Sequence, residues 1–137
     1  MTFENKLVAV LNKDVEPGVV LNALAHMSIG LGAQVGKPHL RLDDYKDATG
    51  NIYPNISQIP FIILRAKSNE IRKTIASAKE HKILHGVFLN TMTGGTYLEQ
   101  LDRTATSPED SLTYYGCVLF GEWTTVSEIT RKFSLWK

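Results

Sequence analysis

The groups with chemistry to offer in this 137-residue sequence are four histidines, one cysteine and a Thr-Gly-Gly-Thr turn. His26 stands in Asn22-Ala-Leu-Ala-His26-Met-Ser-Ile-Gly30, next to a small residue. An imidazole there can serve as acid, base or substrate clamp. The plainer role for the same side chain is packing at a helix flank. Thr93-Gly-Gly-Thr96 precedes a helical pattern. Free N–H groups at such a start can hold an anion or carboxylate, though Gly-Gly also serves as a tight turn. His85 falls inside an apolar run and reads as a satisfied core histidine, while His39 and His81 lie at element ends and read as solvated. His81 and His85 are four apart but straddle a change from helix to strand, so the spacing of a helical metal site does not arise. No metal and no cofactor is expected. Asp43-Asp44 beside Tyr45 and Lys46 reads as a charged solvent face. Cys117 sits in an apolar strand and reads as a buried small hydrophobe, since a nucleophilic thiol needs access and a lowered pKa. There is no nucleophile elbow, P-loop or dinucleotide fingerprint.

These groups need elements to position them. Leu7-Val-Ala-Val-Leu11 is an unbroken apolar run, the mark of a strand buried on both faces. Pro17 suits the first turn of a helix running to about Ala33, with Val20, Leu24, Met27 and Leu31 as its core stripe and His26 well off it. Residues 40–57, with Asp47-Ala-Thr-Gly-Asn51 as a turn, read as an outlying hairpin whose second arm Pro54 confines to an edge. Phe61-Ile-Ile-Leu64 is a second central strand. Ser68 can cap a helix over 69–81 whose Ile71, Ile75 and Ala78 face inward, and Ile83 to Leu89 is a third strand. Strand, helix, strand is a βαβ unit. A short helix carries Tyr97, Leu98 and Leu101; residues 112–121 form a strand of unreadable direction. Thr125-Val-Ser-Glu128 is a capping box for a last helix bearing Ile129, Phe133 and Trp136. The expectation is a single α/β domain over 1–137, in three layers. A mixed and largely parallel sheet carries helices on both faces, and a β-hairpin is inserted near 40–57.

In an open parallel sheet, ligands bind beyond the carboxyl ends of the strands. That brings forward Asn12 to Gly18 and Asn90 to Thr96. Fifteen Lys and Arg against fourteen Asp and Glu leave a net charge of +1, which speaks against a protein built to grip phosphate backbones. A single cysteine excludes an internal disulfide and a Cys-rich zinc site. No stretch has the apolar run of a membrane helix or of a signal peptide, so a cytoplasmic setting without membrane contact is expected.

The strand, polar turn and helix reading Asn22 to Gly30 resemble the type-two peptidyl-tRNA hydrolases, whose first helix carries a histidine at this place. Met92-Thr-Gly-Gly-Thr96 lies where that family has an Asp-Ala-Gly-x-Thr loop. Leu119-Phe-Gly121 and the final helix are similar to its closing strand, glycine turn and helix. The sequence is closer still to an uncharacterised bacterial family that shares the hydrolase fold. The resemblance implies that fold, and a homodimer in which aromatic residues such as Tyr114, Tyr115, Trp123 or Trp136 supply an interface. It also shows departures. The hydrolases' lysine-rich approach to the first helix is Val15-Glu-Pro-Gly-Val19 here, their glutamine is Ala23 and their loop aspartate is Met92. Peptidyl-tRNA hydrolysis and tRNA binding are therefore not expected.

The first expectation is a small-ligand or protein-binding domain, its pocket formed by Asn12, Gly18, Asn22, Thr91, Thr93, Gly94 and Gly95 beside His26. The alternative is a hydrolase of ester or amide bonds with a rearranged site, His26 as acid or base and Thr96 as a positioning hydroxyl.

Overall fold

A computed structural model describes residues 3–137. The apolar run forms β1 (Asn5–Asn12), and residues 7–12 are all buried, as an uncharged run without alternation requires. β1 pairs in parallel with β4 (Phe61–Ala66), Leu7 opposite Phe61. On its other side it pairs antiparallel with β6 (Tyr114–Glu122), which pairs antiparallel with β5 (Leu84–Leu89). β7 (Ser134–Leu135) joins the far side of β4, so the order is β5-β6-β1-β4-β7. The sheet is mixed, but the expectation of a largely parallel one is corrected. β1, β4 and β5 run the same way, yet only β1 and β4 are neighbours, because β6 inserts between β1 and β5. The βαβ unit from β4 to β5 thus spans two intervening strands.

Helices cover both faces. Leu7, Ala9 and Leu11 lie under α1 (Pro17–Val35), which buries Val20, Ala23, Met27, Leu31 and Val35. Val8 and Val10 face α3 (Ser68–Glu80) and α5 (Trp123–Thr130), which bring Ile71, Ile75, Ala78 and Val126. α1 has the length and apolar content of a membrane-crossing helix. In this fold its buried stripe is seated on the sheet. The stripe differs from expectation at Leu24, which is half-buried while Ala23 takes the inner place.

Two glycines let α1 sit close. A Cβ on Gly116 would lie 3.0 Å from Leu11 Cδ2 and from Met27 Cε, and 3.2 Å from the Val10 carbonyl oxygen. A Cβ on Gly86 would lie 3.1 Å from Val118 Cγ2 and 3.6 Å from the Met27 carbonyl oxygen. Met27 is therefore the point of closest approach, and His26 is carried to the edge of the contact.

Local details correct three helix boundaries. Ser68 does not cap α3: its Oγ accepts the Tyr114 N–H at 2.9 Å, while the Glu70 carboxylate accepts the Lys67 N–H at 3.0 Å. α5 begins at Trp123, so Thr125 lies inside it and its hydroxyl donates to Glu122 Oε1. The chain then leaves the helix after Thr130 and pairs with β4, the Trp136 N–H donating to the Ile63 carbonyl. The edge of β4 offers unpaired groups, and satisfying them outweighs the helical period of Ile129, Phe133 and Trp136.

The hairpin is present as a separate two-stranded sheet, β2 (Leu42–Lys46) with β3 (Ile52–Ser57), after a four-residue helix α2 (Lys37–Leu40). Asp47 organises its turn, accepting from the Thr49 and Asn51 N–H groups and from the Tyr53 hydroxyl. These bonds hold its carboxyl well below the usual carboxylate range.

Candidate functional site

A cleft with a volume of about 680 Å³ lies between α1, strand β5, the 3-10 turn Asn90–Met92 and α4 (Tyr97–Ala105). Its size falls within the range of about 300 to 1,000 Å³ usual for small-molecule sites. α1 contributes Asn22, His26, Gly30 and Gln34, four residues apart each time and therefore on one face. α4 contributes Tyr97, Gln100, Leu101 and Thr104, again one face. Met27, Leu31, Phe88 and Met92 make the apolar floor. Among the described residues no aspartate, glutamate, lysine or arginine lines it.

His26 is exposed on the rim, its ring centroid 6.2 Å from that of Phe88 and tilted by 35°. Phe88 in turn stacks on Tyr115 at 6.2 Å. Among the described residues His26 makes no hydrogen bond and has no carboxylate to orient it. Its imidazole is free to meet a ligand. His85 is half-buried, and its Nδ1 donates to the Ile83 carbonyl at 2.9 Å. That bond fixes the tautomer and leaves Nε2 as an acceptor on the neutral ring. So one ring nitrogen of His85 is held, but the expectation of a core histidine is corrected: the side chain is half-buried and lines the cleft. Among the described residues no three His, Cys, Asp or Glu side chains converge.

The expected site residues divide into two groups. Asn22, His26, Thr93 and Gly94 line the cleft together. Asn12, Gly18, Thr91, Gly95 and Thr96 do not. Asn12 is 2% exposed; its side-chain amide donates to the Tyr114 carbonyl at 2.8 Å and its oxygen accepts the Asp14 N–H. Its visible work is holding the ends of β1 and β6 together. Gly18, in the first turn of α1, lies a full turn before Asn22. The Thr91 side chain is buried, its hydroxyl 2.7 Å from that of Thr104. Gly95 has φ +74°, and the space a Cβ would take is next to the Glu99 carboxylate.

Thr96 is the N-cap of α4. Its Oγ1 accepts the Glu99 N–H and Glu99 Oε1 accepts the Thr96 N–H, both at 3.2 Å. This reciprocal capping box, together with the Arg103 charge, holds the Glu99 carboxyl below its ordinary value.

Arg103 fixes the turn. Its guanidinium donates to the carbonyls of Thr91 at 3.1 Å, Thr93 at 2.9 Å and Gly94 at 2.7 Å. One side chain thereby holds three carbonyls that no strand or helix satisfies. Sequence reasoning missed this clamp, and it missed Gln34, Gln100 and Thr104. The i, i+4 steps from Asn22 to Gln34 and from Gln100 to Thr104 were legible; the Arg103 contact is tertiary.

A protein of unknown function, Atu0240 from Agrobacterium tumefaciens str. C58, has a solved structure that superposes with a TM-score of 0.84. The match covers 99% of this chain and 100% of that one at 24% identity, and it speaks for the fold alone. No curated protein matches. The profile of the family DUF2000, described as a protein of unknown function, matches residues 5–137, and the chain belongs to that family.

Proposed function

We propose that this chain is a small-ligand-binding domain of a peptidyl-tRNA hydrolase II-like fold in which the hydrolases' catalytic charges are absent. The observation that carries the reading is the cleft itself: about 680 Å³, an apolar floor, two histidines and three side-chain amides at its walls, and no formally charged residue. A few convergent polar groups over an apolar floor are what a ligand site uses to orient its occupant. The approach to α1, Val15 to Val19, has no lysine, and Met92 stands where the resemblance places an aspartate. Both departures favour binding over tRNA chemistry.

A hydrolase working through His26 and Thr96 has less support. The Thr96 hydroxyl accepts the Glu99 N–H, and among the described residues His26 has no carboxylate partner. A general base is usually oriented by a third group.

A thermal-shift panel of metabolites, nucleotides and aminoacyl compounds tests the reading. At least one compound should raise the unfolding midpoint of the wild type, and His26→Ala should reduce that rise. Thr96→Val should lower the midpoint of the free protein and leave the ligand-induced rise intact. No rise with any compound, or an equal rise in His26→Ala, counts against this cleft. Turnover of acyl-amino-acid substrates abolished by His26→Ala would favour the hydrolase instead.

A further inference from the structure

β5 is the long open edge of the sheet. Among the described residues it pairs with β6 alone, its last amide, Leu89 N–H, donating to Met92 Sδ, and the opposite edge is the two-residue β7. An edge strand presents unpaired N–H and C=O groups from alternate residues. Proteins guard such edges with lysine, proline, charge or a covering element. β5 reads Leu-His-Gly-Val-Phe-Leu and carries neither lysine, proline nor a carboxylate.

The cleft runs along this edge. A cavity confined to one face of a strand is lined by alternate residues. Here four successive ones line it: His85, Gly86, Val87 and Phe88. Gly86 and Phe88 face the α1 side and Val87 the α3 side, so the cavity wraps the edge and reaches the main chain. α4 packs mainly on the 3-10 turn, and among the described residues no strand pairs with the outer side of β5, so the edge is flanked without being paired. The lined stretch is about 13 Å long at ~3.3 Å per residue. Walled by α1 and α4, it suits a single extended segment. The edge of a second domain would bring its own helices against these walls and fits less well. The occupant must also be neutral, because no lining side chain carries a formal charge to pair with a buried one.

We infer that the ligand of this cleft is a short neutral peptide in extended conformation, bound by adding a strand to β5. Its alternate side chains rest against Phe88 on one side and Leu101 on the other. Main-chain bonds to the edge supply affinity, and the side-chain seats supply selectivity. This deepens the reading of the cleft as a ligand site and rests on it.

The test is a titration of the isotope-labelled full chain, followed by amide NMR. The probe is a pool of N-acetylated, C-amidated hexapeptides built from Val, Ile, Thr, Ser, Phe and Gly. Binding members should shift the amides of residues 84–88. N-methylating such a peptide at alternate backbone nitrogens should weaken binding by at least about tenfold, because a buried acceptor on β5 loses its donor. Leu101→Lys, at a position 49% exposed and so tolerant of charge, should weaken the same peptide to a similar degree. An N-methylated peptide that binds as tightly as its parent overturns the inference, as does a pool in which no member shifts β5. If the peptides fail while a metabolite gives a His26-dependent thermal rise, the cleft stands as a ligand site and only the peptide falls. If neither binds, both fall. A dimer whose dissociation on dilution shifts the β5 amides would assign the edge to a second copy and also overturn the inference.

Discussion

Cys117 shows how much one residue's chemistry is decided by its place. It has no exposed surface, and burial pushes its thiol up to about 12. The thiolate is the reactive form, so at neutral pH the folded chain offers almost none of it and no route to it. An aromatic disulfide reagent should therefore leave the native protein unlabelled over minutes and label one thiol per chain in denaturant. Rapid native labelling would mean that β6 opens locally. The sequence already placed Cys117 in an apolar strand, and that reading holds. His26 was legible too, since its angle on the helix separates it from the Met27 stripe. His85 was only half legible: an apolar run shows that a strand is buried, but not that it ends a sheet and faces a cleft. Thr96 carried its own signal, Thr-x-x-Glu at 96–99, the pattern of a capping box. That local pattern accounts for its hydroxyl more directly than the family resemblance does.

At the scale of elements, the cleft depends on how deeply α1 is seated. Gly116 is the tighter of the two glycines beneath it, because one of its neighbours is the Val10 carbonyl oxygen, part of the central strand and unable to swing away. Gly116→Ala should cost about 1 to 3 kcal/mol through overpacking, read from urea denaturation. Gly86→Ala meets a side-chain methyl first and should cost less, with part of the loss offset by the lower entropy of the unfolded chain. Equal stability of Gly116→Ala and wild type would show that Met27 and Leu11 repack without strain. Most elements were legible, since strand and helix periods are local. The direction of β6 was not: a strand buried on both faces carries the same side chains whichever way it runs. The end of the last helix was not either, because the pairing of residues 134–135 with β4 is a contact across the fold that no local period encodes.

For the whole molecule, the question is which parts the sheet needs. Of the aromatic residues expected at an interface, Tyr114 is only 8% exposed, and Tyr115, Trp123 and Trp136 are half-buried. Large exposed apolar side chains lie elsewhere, including Leu21 and Ile29 on α1 and Tyr45, Ile52, Tyr53 and Ile56 on the hairpin. No residue from 42 to 57 joins either core cluster. A two-stranded hairpin is marginal alone in water, and this one leans on the Asp47 turn and on bonds at its base. Those basal bonds, Gln58 N–H to the Arg41 carbonyl and the Ser57 hydroxyl to the Leu40 carbonyl, lie outside residues 43–56. Leu42 and Ser57 are cross-strand partners, so an Asn-Gly turn can join them directly and replace residues 43–56. The excised chain should unfold in one cooperative transition with a midpoint within about 4 °C of the parent, a difference near 1 kcal/mol for a chain of this size. It should also keep the cleft, since every lining residue lies outside the excised segment. Loss of cooperative unfolding would show that the hairpin supports the core after all. If the parent is a dimer by light scattering and the excised chain a monomer with the same midpoint, the arms serve association, and the five-stranded sheet carries stability and ligand without them.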